Sequence, residues 1–107
     1  MLELHKLYQI KQYYFVLYPS KDQALDAQAI AEARNAVQGA MLTNSPDTVS
    51  YYWSTALNCN VSCLCPKTIL FPVKVDGDYV KIVSTEGIGW IIVYNNWAMG
   101  FLEEVTE

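Results

Sequence analysis

The chain has 107 residues, enough for one ordinary domain with its own core and too few for two. Hydrophobic residues make up 52% and charged residues 17%, which excludes a disordered chain, because there is much to bury and little to repel. Seven Lys and Arg against eleven Asp and Glu leave a net charge of −4, which argues against nucleic acid as a partner, since phosphate binding rests on clustered cations.

The first predicted element is a strand over 7–18. It begins as an alternation, with Gln9 and Lys11 interleaved, and ends apolar on both faces. Its content of Tyr13, Tyr14, Phe15, Val16 and Tyr18 favours strand over helix. The double-sided apolar end implies that something covers each face of the sheet there. Pro19 has no N–H to donate and stops the ladder.

A helix over about 21–38 follows. Ser20 is its N-cap, and Gln23 three positions later completes a capping-box pattern. Asp22 and Asp26 lie near the positive end of the helix dipole. The segment is rich in alanine and free of Gly and Pro, and Gly39 is the natural residue just past its end. Leu25, Ala29, Ala33, Ala36 and Ala40 form a stripe that packs on the sheet.

Residues 43–68 read as loop-rich. Thr43-Asn44-Ser45-Pro46-Asp47 has turn composition. Tyr51-Tyr52-Trp53 is a concentrated aromatic patch with two readings: a core or end-cap cluster, or a binding surface, since Tyr and Trp are favoured interface anchors. Cys59, Cys63 and Cys65 fall within seven residues, an odd number that does not suit a disulfide framework. Their spacing is not absurd for zinc or an iron–sulfur cluster, but a fourth ligand is missing and the only histidine, His5, is far away in sequence. The expectation is buried or free thiols, with no metal and no cofactor.

The last third predicts an antiparallel meander. Thr68 to Val75 is a strand, with Pro72 marking an edge or bulge. Asp76-Gly77 signals a tight hairpin turn. Asp78 to Ser84 alternates, with Tyr79, Lys81 and Val83 on one face and Val80, Ile82 and Ser84 on the other. Thr85-Glu86-Gly87 makes a second turn, Ile88 to Tyr94 a third strand, and Phe101 to Val105 a short closing strand.

These residues carry a resemblance. Val73-Lys74-Val75-Asp76-Gly77-Asp78-Tyr79-Val80-Lys81-Ile82, then Glu86-Gly87-Ile88-Gly89-Trp90-Ile91, then Phe101-Leu102-Glu103, resemble the C-terminal half of an SH3-like domain of the bacterial SH3b type. Pro66-Lys67-Thr68 is similar to the segment that introduces the preceding strand in that family. The likeness covers roughly 66–105, and the helix at 21–38 departs from it. The implied fold is α+β: a small SH3-like antiparallel β-barrel as a single domain over 1–107, with one helix inserted after the first strand.

The resemblance implies binding rather than catalysis, through an aromatic-lined groove, and Tyr79, Trp90 and Phe101 are the positions that match the family's pattern. Together with the aromatic patch and Trp97, the candidate binding residues are Tyr51, Tyr52, Trp53, Tyr79, Trp90 and Trp97. An enzyme is not expected. His5 reads as a solvated terminal residue, the cysteines lack a neighbouring base, and Asp76 and Asp78 flank a glycine as turn formers. No run approaches the roughly 20 apolar residues of a membrane span. Met1 to Lys6 offers no secretory pattern, and the Asn60-Val61-Ser62 sequon has no meaning without export. The expectation is therefore a cytoplasmic, soluble, protein-binding module or accessory subunit, bacterial or phage in type. The second class is a self-assembling structural protein, a homo-oligomer formed through apolar surface at Tyr51–Trp53 and Trp97–Met99. A small metal-binding or thiol enzyme ranks below both.

Overall fold

The computed structural model describes residues 3–11, 14–33, 46–93, 100 and 102–105. In chain order the elements are β1 (Tyr8–Ile10), β2 (Phe15–Leu17), α1 (Lys21–Ala33), α2 (Pro46–Leu57), β3 (Ser62–Leu64), β4 (Ile69–Asp76), β5 (Tyr79–Ser84), β6 (Gly87–Ile92) and β7 (Leu102–Glu104). They build an α+β molecule with a five-stranded antiparallel sheet, ordered β6-β5-β4-β1-β7, and a two-stranded sheet of β2 and β3.

The meander follows the sequence closely. β4 and β5 meet around a two-residue turn at Gly77-Asp78, where Asp76 faces Tyr79 and Gly77 takes a positive φ of 63°. The ladder of β4 shifts register between Pro72 and Lys74, because proline supplies no N–H and a bulge absorbs the gap. β5 and β6 meet around Thr85-Glu86, with Ser84 facing Gly87. The closing strand β7 joins the sheet beside β1, where Glu103 faces Gln9 and Leu102 faces Ile10.

The single strand expected over 7–18 is two strands. Tyr8 faces Leu70 on β4, whereas Tyr18 forms an isolated bridge with Trp90 on β6. Since β5 lies between β4 and β6, one straight ladder cannot meet both, and the chain crosses from one flank of the meander to the other between Ile10 and Phe15. Among the described residues the ladders do not close into a barrel; they form two sheets joined by that bridge.

The apolar run on β2 explains the layering. Phe15 and Leu17 face an inner core with Tyr8, Ile10, Leu64, Leu70, Val80, Ile82, Ile91 and Leu102. Val16 and Tyr18, alternating with them, face an outer core against the helices with Ala24, Ala27, Trp53, Val61 and Ile92. Both faces of β2 are covered, as its sequence implies.

α1 begins where expected, the Gln23 N–H donating to the Ser20 hydroxyl at 3.3 Å, but among its described side chains Ala24 and Ala27 are fully buried, whereas Leu25 and Ala29 of the expected stripe are exposed. Its expected continuation to 38 lies outside the described residues. The loop-rich reading of 43–68 is overturned by α2. Its start carries Pro46, a residue suited to the first helical turn, where a missing N–H costs nothing. Trp53, Ala56 and Leu57 then recur at helical spacing and pack on the outer core. The run of Tyr, Trp, Ser and Thr has weak helix propensity, and burial of one face overrides it.

Candidate binding surface

The two helices bring Tyr52, Trp53, Tyr79 and Trp90 into one cluster on the outer face of the sheets. Trp53 is 1% exposed and lies edge-on to Tyr18, with ring centroids 6.4 Å apart, and to Tyr52 at 5.1 Å. Of the two readings of the aromatic patch, Trp53 takes the core one: α2 turns its large apolar ring onto the sheet, where it supplies the bulk that alanines on α1 do not. Its indole Nε1 is buried without a hydrogen-bond partner.

Tyr79 reaches across to α1, where its hydroxyl donates to Gln28 Oε1 at 2.6 Å. The Lys21 ammonium sits 5.8 Å above the Tyr79 ring and pairs with Asp76, holding that carboxyl below its usual range. Trp90 is half-buried against the same cluster. These aromatics join helix to sheet, so the structure brings together four of the six candidate residues mainly as packing. Trp97 and Phe101 lie outside the described residues.

Tyr51 differs. One position before Tyr52 on α2, it points away from the sheet and is 75% exposed. It borders a depression of about 470 Å³ lined also by Ser54, Thr55, Asn58, Cys59 and Asn60. Two hydrogen bonds tie α2 to the segment that follows it. The Ser50 hydroxyl donates to the Val61 carbonyl at 2.7 Å, the Val61 N–H donates to the Ser54 hydroxyl at 3.2 Å, and Asn58 turns the chain with a φ of 53°. The surface offers hydroxyl and amide groups and the Cys59 thiol around one aromatic ring, a set suited to hydrogen-bonded contact.

Sequence reasoning reached Tyr51 but not the residues that shape its surroundings, because their roles depend on α2. The same holds for a second hollow of about 320 Å³ between the helices, lined by Asp26, Ala29, Ile30, Ala56 and Leu57. The Ser45-Pro46-Asp47 start and the spacing of Trp53 and Leu57 were the available signals.

The three cysteines are free thiols at the α2–β3 end, each half-buried. Burial raises the Cys59 thiol above its usual range. Burial, with Cys65 nearby, pushes Cys63 up to about 12. Both stay protonated at neutral pH and are poor nucleophiles and poor ligands in that form. Among the described residues no group of three His, Cys, Asp or Glu side chains is placed to hold a metal ion. His5, expected to be a solvated terminal residue, is exposed but tethered: its backbone N–H donates to the Pro72 carbonyl at 3.0 Å and its ring lies 5.8 Å from that of Phe71.

Among the described residues no helix is long and apolar enough to cross a membrane. Comparison with family models, with curated proteins and with solved structures finds no match to this chain.

Proposed function

We propose that this chain is a small, non-catalytic protein-interaction module of the SH3-like kind, with Tyr51 as a contact residue. The observation that carries the reading is the 75% exposure of Tyr51 beside a hollow of hydroxyl and amide groups. Among the described candidate aromatics, the other four are wholly or partly buried. The exposed ring keeps a large, rigid, amphipathic contact surface open to a partner, and tyrosine is enriched among interface anchors. The SH3-like part of the reading is supported by two placements: β1 runs antiparallel to β4 at Tyr8, and Tyr18, just after β2, bridges to β6, so separate strands lie along both flanks of the meander.

The test is affinity capture by the full chain from the cells that produce it, run beside a Tyr51→Ala variant. The expected result is a defined co-purifying protein whose recovery falls about tenfold or more with the variant, at unchanged melting temperature. Equal capture by both forms removes Tyr51 from the site. A stable homo-oligomer in a sizing experiment, with no captured partner, replaces the module reading by self-assembly.

A further inference from the structure

We propose that the outer face of the meander at Lys74 and Lys81 binds a short acidic peptide segment of a partner protein through its carboxylates. Lys74 on β4 faces Lys81 on β5, and Lys81 faces Trp90 on β6, so the three side chains stand in one row on one face of the sheet. The row owes its composition to the bulge. Phe71 faces Val83 on this same side, and unbroken alternation would bring Val73 opposite Lys81 and turn Lys74 inward beside Val80. The register shift between Pro72 and Lys74 instead makes Lys74 the partner of Lys81 and sets Val75 against buried Val80.

Like charges directly opposite one another on a sheet cost stability. Here the cost is not offset within the fold. Among the described residues the ion pairs join Lys6 to Glu3 and Glu104, and Lys21 to Asp76; neither Lys74 nor Lys81 has a paired carboxylate. Asp76 shares their face, two residues beyond Lys74 on β4, but the Lys21 ammonium already engages it. Lys74 is exposed and Lys81 half-buried, so both ammonium groups reach water. In a chain of net charge −4, this face carries a local excess of the opposite sign. Such a patch draws an acidic partner to itself while the rest of the surface turns that partner away.

The arrangement selects a peptide among anions. Nucleic acid and anionic membranes are held by larger clusters, about four to eight Lys and Arg for a membrane, and a net charge of −4 repels both. A lone phosphate needs converging donors, whereas the row offers two point charges on flexible stems and backbone groups that lie in the plane of the sheet. Alternate side chains of an extended segment stand about 7 Å apart on one side, within reach of two such stems. Trp90, half-buried against the helices, ends the row with an aromatic ring for an apolar side chain of the same segment. This inference extends the interaction-module reading to a second surface and makes no use of the Tyr51 hollow, so the two fail separately.

The experiment is an amide NMR titration of the isotopically labelled full chain with an end-blocked pentapeptide. The peptide carries glutamate at its first and third positions, phenylalanine at its fifth and serine between. The expected result is saturable shifts centred on Lys74, Lys81 and Trp90 that weaken as salt is raised. Glutamine in place of both glutamates weakens binding about tenfold or more. Lys81→Glu turns the facing like charges into an opposite pair, so the chain melts no lower than the wild type, yet binding falls about tenfold or more. Lys74→Glu, at the exposed member of the pair, repeats the result. Lys11→Glu makes the same change of charge at the other end of β4, where Ile10 bonds to Thr68, and binds as the wild type does. Tyr51→Ala also binds normally. The proposal is overturned by shifts centred elsewhere, by no saturable change, or by undiminished binding of the glutamine peptide or of the two Glu variants. It is equally overturned if a single-stranded oligonucleotide or vesicles of anionic lipid shift the same residues at lower concentration than the peptide, which assigns the lysines to a polyanion.

Discussion

Tyr18 and Trp90 exchange both backbone hydrogen bonds, N–H to carbonyl in each direction at 2.8 Å, and tie the two-stranded sheet to the meander where Phe15 and Leu17 also pack against it. Trp53 packs edge-on against Tyr18 from α2, and Trp90 presents its ring to the same layer. The bridge brings the two backbones so close that residue 89 has no room for a side chain. A Cβ on Gly89 lies 2.6 Å from the Tyr18 carbonyl oxygen and 2.9 Å from Leu17.

Gly89→Ala is therefore expected to cost about 1–3 kcal/mol, because the obstruction includes backbone and cannot be cleared by a rotamer change. Urea melts measure it. A change under about 0.5 kcal/mol means that the bridge yields without loss, and that the two sheets are less tightly joined than Tyr18 and Trp90 indicate.

Trp53 and Trp90 should separate in a melt. Trp53→Ala removes a fully buried ring and is expected to cost about 3–5 kcal/mol, with the smaller loss at Trp90→Ala, whose ring is only half-covered. Trp53→Phe keeps most of the bulk and deletes an indole N–H that has no partner, so its cost stays well below that of alanine. The reverse order, with Trp90 dominant, would place the main outer contact on the sheet rather than on α2.

The Lys21–Asp76 pair ties the start of α1 to the first hairpin turn, and both groups are open to solvent. The bond from the Lys21 ammonium lowers the Asp76 pKa from its ordinary value of 3.8. Its folded value is then below its unfolded one, so the pair's contribution is present above the unfolded value and fades as pH falls through the folded one. NMR titration of the Asp76 carboxyl is expected to show a depressed midpoint that returns to the ordinary range in Lys21→Ala and moves partway back in high salt. A midpoint indifferent to Lys21 rules the pair out.

Much of the meander was legible because its signals are local. Asp76-Gly77, the alternation of 78–84 and the bulge at Pro72 each follow from a few adjacent residues. The two-faced burial of Phe15, Val16, Leu17 and Tyr18 was legible for the same reason. The break between β1 and β2 was not, since it depends on which flank of the meander each end meets. α2 was masked by residues that favour strands when read alone and form a helix because Trp53 is buried there. With α2 misread, Trp53 and Tyr51 looked like one aromatic patch. On a helix they are two positions apart and point to opposite environments, one to the core and one to water.

The cysteines supply a prediction at alkaline pH. Cys63 lies on β3 opposite Val16, its thiol against the outer core, with a pKa pushed from an ordinary 9.0 to about 12. The folded state holds this proton more tightly than the unfolded state. The associated stability is complete below the unfolded value and is lost as pH rises from about 9 toward 12. Cys59, also raised by burial, acts in the same direction. Tyrosine ionisation contributes in that range too, so the informative quantity is a difference between proteins rather than one curve. Cys63→Ala is expected to start less stable at neutral pH, from the lost contact with the core, and then to lose stability less steeply through the alkaline range. Thiol labelling at neutral pH gives the independent check: Cys63 reacts slowly in the folded chain and at the ordinary rate once urea exposes it. Parallel alkaline slopes for the two proteins, or rapid labelling of folded Cys63, would show a thiol open to water and a β3 that does not press it against the sheet.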